Sequence, residues 1–225
     1  MMTAIVAIAV VGAILQGLFI TVEHQKKFVA ADVLKGLAAA CFVVVGAIGF
    51  LTARNDSYAL KIVIGLFFGM IGDILLNLRF IFGEEKGQKF FLLGIVAFLI
   101  GHILYLAALT PLATHAMICV AIGLALELAL LIYIFSTMKV KLVFKIFGVF
   151  YLGAVIIMSV MAVDAAIVVR DIRSIECAVG AVLFMLSDII LIFNTFGGSS
   201  KFSARIANLS LYYIGQMMIA ISLFL

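Results

Sequence analysis

Charge is what this chain lacks most. Asp, Glu, Lys and Arg make up 12% of its 225 residues, about half the roughly 25% of a soluble domain. Hydrophobic residues make up 67% and mean hydropathy is +1.39, so a soluble globular fold is excluded and a polytopic membrane protein is predicted. Proline occurs once; the pair of proline-interrupted spans that marks many transporters is therefore absent. Cys41, Cys119 and Cys177 are scattered through separate apolar stretches without CxxC spacing. They read as small packing residues rather than redox or metal groups. No HExxH or paired-histidine pattern points to a metal, no cofactor is implied, and no basic tract suggests nucleic acid.

What is present is a succession of apolar runs, each about 20 residues long, the length needed to cross a bilayer. Spans are predicted at 3–21, 30–52, 58–82, 90–109, 112–135, 143–163, 176–196 and 204–225. The predicted fold is thus an all-α polytopic bundle of eight transmembrane helices, with residues 1–225 forming a single integral membrane domain. The first run lacks a basic n-region and a convincing small-residue cleavage site, so it reads as a structural helix rather than a signal peptide. Lys26, Lys27, Arg79, Lys86, Lys89, Lys139, Lys141, Lys145, Lys201 and Arg205 fall at the odd-numbered loops. Arg54, Lys61, Arg170 and Arg173 fall at the even ones. The positive-inside rule then makes the odd loops cytoplasmic and puts both termini on the other side. The net charge of +4 reflects orientation and lipid headgroups.

Two aspartates interrupt the apolar spans in similar settings, Met70-Ile71-Gly72-Asp73-Ile74-Leu75-Leu76 and Met185-Leu186-Ser187-Asp188-Ile189-Ile190-Leu191. A carboxylate at membrane depth is costly unless it lines a polar cavity or is protonated, so such residues are functional by default. At 1.5 Å per residue each lies about 13 Å from the cytoplasmic end of its span. His102 and Gln216 come one turn deeper and Lys35 nearer the cytoplasmic surface. Polar groups of five helices thus share one layer. Asp73 and Asp188, and likewise His102 and Gln216, are related by nearly the same spacing, four spans apart, which predicts a 4+4 parallel internal repeat. His102 and Tyr105 share a helical face, either to orient water or substrate or to form an interhelical hydrogen bond. Lys35 either meets an anionic substrate group or snorkels. Tyr213 and Gln216 share another face, and Asn77 either bonds Asp73 or extends a polar stripe. Glu127 is buried but belongs to no motif. Gly65, Gly69 and Gly72 permit close helix approach.

Lys35, Gly72-Asp73-Ile74-Leu75-Leu76, the run Phe91, Gly94, Phe98, His102 and Tyr105, the segment from Gly180 to Asp188, and Tyr212-Tyr213-Ile214-Gly215-Gln216 occur in an order and spacing that resembles the YhhN family of lysoplasmalogenases. One departure is Gly36, where relatives commonly carry proline after the lysine. The resemblance implies hydrolysis of the vinyl ether bond of lysoplasmalogens to a fatty aldehyde and glycerophospho-ethanolamine or -choline. Asp73 and Asp188 would be catalytic, and Lys35, Asn77, His102, Tyr105, Ser187, Tyr213 and Gln216 would bind substrate, with no metal. A lysophospholipid, membrane lipids and water are the expected partners. The expected location is a multi-pass position in a bacterial inner membrane, the endoplasmic reticulum being the other membrane allowed. The chemistry needs one carboxylic acid and one carboxylate; which aspartate plays which part is open at this point. A proton-coupled transporter is the alternative, and a non-catalytic lipid-binding scaffold the third reading.

Overall fold

A computed structural model of the chain describes residues 2–52, 56–198 and 200–224; Arg54 and the last residue of the eighth predicted span, Leu225, lie outside them. Eight helices form among the described residues. They are α1 (Met2–His24), α2 (Phe28–Thr52), α3 (Ser57–Leu78), α4 (Glu84–Leu109), α5 (Ala116–Thr137), α6 (Leu142–Val169), α7 (Ile172–Phe196) and α8 (Phe202–Ile221). α1 to α7 are long and apolar enough to cross a membrane, and the chain is an integral multi-pass membrane protein. Large apolar side chains such as Val10, Ile14, Leu128, Ile132 and Ile167 cover its exterior. In water so wide an apolar surface would associate; in hydrocarbon it is the stable exterior. α8 does not reach the same hydropathy. It carries Asn208, Tyr212, Tyr213 and Gln216, all buried, and packs on α7, α2, α1 and α3. Its polar residues face the neighbouring helices, while Ile206 and Ile214 remain on the exterior.

Several ends differ from the predicted spans for identifiable reasons. α4 starts at Glu84 rather than 90, because Glu84 and Glu85 complement the positive helix end. Lys89 also donates to Glu85 at 2.9 Å, so the helix continues past the apolar run. α5 starts at Ala116 rather than 112, after turns around Pro111. α6 continues past 163 to Val169, where Arg170 takes a left-handed conformation (φ 58°). Asp164 does not stop it, since its carboxylate accepts from the His115 backbone N–H at 3.1 Å and bonds the His115 ring at 2.9 Å. Asp171 then caps α7 by accepting from the Ser174 N–H at 2.8 Å.

Consecutive helices pack together from α1 through α4 and from α5 through α8; α6 lies against α4, and α5 packs on α6 and reaches α7 through Tyr133, whose ring meets that of Phe193 edge-on at 5.8 Å. Two crossings need glycine. A Cβ on Gly101 would sit 2.9 Å from the Gly65 carbonyl, and Cβ atoms on Gly180 and Gly215 would each sit 2.7 Å from the other's carbonyl. Bare backbones therefore meet at α3–α4 and at α7–α8. In both pairs the aspartate follows its glycine by about two turns.

Candidate active site

Asp73 and Asp188 both line one cavity, together with Lys35, Asn77, Arg79, Tyr151, Arg205, Asn208 and Tyr212. Its remaining wall is largely apolar, with Phe19, Phe91, Phe98, Phe144 and Phe196 among the contributors. About 110 Å³ is open to the centre of a water-sized sphere. A single water needs roughly 10–15 Å³ on that measure, so several waters or the reacting part of a lipid fit. The cavity lies towards the odd-loop end, where Arg79 follows α3 and Arg205 occupies the first turn of α8. On α6, Gly148 faces it, and a Cβ there would meet no other atom within 4 Å.

The two carboxyls have different company. Asp73 Oδ1 lies 3.3 Å from Lys35 Nζ, and its Oδ2 accepts from the Tyr212 hydroxyl at 2.7 Å. Lys35 is itself enclosed, with Nζ 4.4 Å from the Tyr212 ring centre and 5.1 Å from that of Phe19. Both members of the pair are buried, at 5% and 6% side-chain exposure. Asp188 Oδ2 accepts from the Tyr151 hydroxyl, and no cation pairs with it among the described residues. One acid is matched by an ammonium, the other by a neutral phenol. Among the described residues no three His, Cys, Asp or Glu side chains gather to hold a metal ion.

Of the residues singled out from sequence, Asp73, Asp188, Lys35 and Asn77 line the cavity. Lys35 does not snorkel, because Asp73 retains it inside. Asn77 does not bond Asp73; with its amide oriented to satisfy both ends, it donates to Glu23 at 3.1 Å and accepts from the Asp32 N–H at 3.2 Å. His102 is buried behind the wall. Its Nδ1 bonds the Phe98 carbonyl at 2.7 Å, which requires the proton on that nitrogen, and Nε2 has no partner. The ring is edge-on to Tyr151 at 5.5 Å. Tyr105 donates to Gln216 Oε1 at 3.0 Å, and Gln216 lies close to Tyr212 near Gly69. The Ser187 hydroxyl accepts from the Asn208 amide at 3.1 Å. Tyr213 faces away, its hydroxyl 3.4 Å from the Ala9 carbonyl of α1. Glu127 packs on Gly153 at the α5–α6 contact, away from the site.

A family model for the YhhN family matches residues 27–223, which takes in α2 to α8 and every cavity-lining polar residue. The chain belongs to the YhhN family. That family includes lysoplasmalogenases. No curated protein and no solved structure matches the chain. In this YhhN protein the cavity also presents Tyr151, Tyr212, Asn208, Arg79 and Arg205, which sequence reasoning did not assign to a site. Arg79 and Arg205 stood out only as loop charges, and Tyr151 has no polar neighbour in sequence to mark it.

Proposed function

We propose that the protein is a lysoplasmalogenase that cleaves the vinyl ether of a 1-alkenyl-glycerophospholipid by two-carboxylate acid/base catalysis. The observation carrying this is that two aspartates meet one largely apolar cavity, one beside an ammonium and one beside a phenol. Asp188 carries the proton and gives it to the β-carbon of the vinyl ether, leaving an oxocarbenium ion. Asp73, kept in place by Lys35 and Tyr212, faces that cation as a carboxylate and takes a proton from the attacking water. The hemiacetal so formed collapses, breaking the C–O bond to give the aldehyde and the free glycerol hydroxyl. Water relays the proton on Asp73 back to Asp188, which closes the cycle. An acid and a base each contribute about 10²- to 10⁴-fold in such chemistry. His102 braces Tyr151 and the Tyr105–Gln216 pair backs Tyr212, so these residues position the acids without touching substrate.

The same reading takes α8 as an eighth span, the odd loops as cytoplasmic, and a bacterial inner membrane as the setting. It also includes the 4+4 repeat. Supporting it, Gly65 and Gly180, Asp73 and Asp188, Gly101 and Gly215, and His102 and Gln216 recur at one spacing to within a residue. The α2–α8 contact also has its counterpart in α6–α4. Under that repeat Lys35 on α2 corresponds to the neighbourhood of Tyr151 on α6, so the halves differ where each aspartate finds its partner.

The test is to incubate purified protein with a lysoplasmalogen and with its saturated ether analogue. Aldehyde should arise from the first alone, and in heavy water deuterium should appear at the aldehyde α-carbon. Asp73→Asn and Asp188→Asn should each lower turnover by at least about 100-fold without unfolding the protein. Turnover like that of the parent in either folded variant removes that residue from the chemistry.

A further inference from the structure

At the cavity's loop end Lys35, Arg79 and Arg205 stand near Asp73, Glu23 and, beyond Asn77, Asp32, and only two of these three cations are directly paired. Lys35 is matched by Asp73 at 3.3 Å, and Arg205 forks onto Glu23 with Nε at 3.0 Å and Nη2 at 2.6 Å. Arg79 also lines the cavity, yet it has no ion-pair or hydrogen-bond partner among the described residues. Its Nε is buried, and its guanidinium carbon lies 4.5 Å from the Phe80 ring centre and 4.6 Å from that of Phe91. Arg79 as a whole is half-buried, so its outer guanidinium nitrogens can reach an anion at the mouth, while its enclosed and unpartnered Nε favours one arriving there. Arg205, with two donors taken by Glu23, keeps Nη1 for another acceptor.

We infer that Arg79, assisted by Arg205, binds the phosphate of a glycerophospholipid headgroup at the cavity mouth. This rests on the lysoplasmalogenase reading, and the distances suit it. Arg79 follows Asp73 by six positions, about 9 Å along the helix axis. In a 1-alkenyl lysolipid, seven bonds separate phosphorus from the β-carbon, and an extended chain covers roughly 1.2 Å per bond, or about 8 Å. A phosphate on Arg79 therefore delivers the vinyl ether to the level of the two aspartates. The planar fork of arginine suits phosphate oxygens better than a point charge does.

The inference is tested by direct binding to the full-length protein in detergent, using ligands that cannot be hydrolysed. The ligands are 1-alkyl-glycerophosphoethanolamine, the matching 1-alkylglycerol, and inorganic phosphate. The parent protein should prefer the phosphate-bearing lipid over the alkylglycerol by at least about 10-fold. Arg79→Ala should abolish that preference and Arg79→Lys retain part of it, with melting curves confirming that the variants are folded. Should Arg79→Ala not fold, Arg79→Lys decides, since it keeps the charge and loses the fork. An unchanged lipid preference in a folded variant overturns the inference. Binding of inorganic phosphate through Arg79 without any preference between the lipids overturns the headgroup assignment and leaves a free-anion site. Absence of aldehyde from the alkenyl lysolipid, with the Arg79-dependent preference intact, overturns the proposed hydrolysis and upholds the phosphate site.

Discussion

Lys35 and Asp73 form an ion pair enclosed in the bundle. Removing the lysine leaves a carboxylate buried beside apolar rings, and breaking such a pair typically costs about 3–5 kcal/mol. Lys35→Met should therefore lower the melting temperature in detergent substantially, while Lys35→Met combined with Asp73→Asn should recover much of the loss and remain inactive. Equal melting of the single variant and the parent would mean that the pair contributes nothing to stability. At this scale the acids were legible in the sequence, because a carboxylate in an apolar run has few structural excuses. Their partners were not. Tyr151 in α6 looks like any membrane-helix tyrosine. Tyr212 and Tyr213 are adjacent and point about 100° apart, so periodicity alone does not choose between them. Spacing to Gln216 favoured Tyr213, whereas the helix turns Tyr212 to Asp73 and Tyr213 to α1.

Among the elements, the α6–α7 corner is built from two opposite devices, a left-handed Arg170 that ends one helix and Asp171 that begins the next. The Ser174 hydroxyl and N–H, in that order of importance, hold the Asp171 carboxyl below its usual value of 3.8. A carboxyl with a depressed folded value stabilises the fold fully above the unfolded value. That stabilisation fades as pH falls below about 3.8. Asp171→Ala should cost about 1 kcal/mol, measured by thermal melting near pH 7, and the difference from the parent should shrink as the medium is acidified below pH 4. A difference independent of pH would place the effect outside the cap. Helix existence was readable from hydropathy, since apolar runs of spanning length have few other uses. Helix ends were less so: charged first turns such as Glu84–Lys89 extend a helix beyond the hydrocarbon, where hydropathy no longer reports on it.

For the whole molecule, the cavity's position makes orientation consequential, because all the polar access lies at the end carrying the odd loops. A cysteine placed beside Lys141 should be labelled by an impermeant reagent only from the cytoplasmic side, and one beside Asp171 only from the opposite side. The reverse pattern would assign the site to the other leaflet. The eighth helix shows why hydropathy alone understates this bundle. Its Asn208, Tyr212 and Gln216 lower its mean apolar character because they face α1, α2, α3 and α7 rather than lipid. The helix that carries the most site chemistry is thus the one whose membrane signal is weakest.

Gly148 gives the cavity wall a vacancy of known address. Because a Cβ added there meets no atom within 4 Å, a side chain can start from Gly148 towards the cavity, and under the proposed hydrolysis that wall becomes a gauge for the alkenyl tail. Gly148→Phe should leave melting near that of the parent and shift the ranking of kcat/KM towards shorter alkenyl chains, by about 10-fold or more for the longest. A ranking unchanged across chain lengths would show that, under the proposed hydrolysis, the tail leaves the cavity by another side and chain length is not read at this wall.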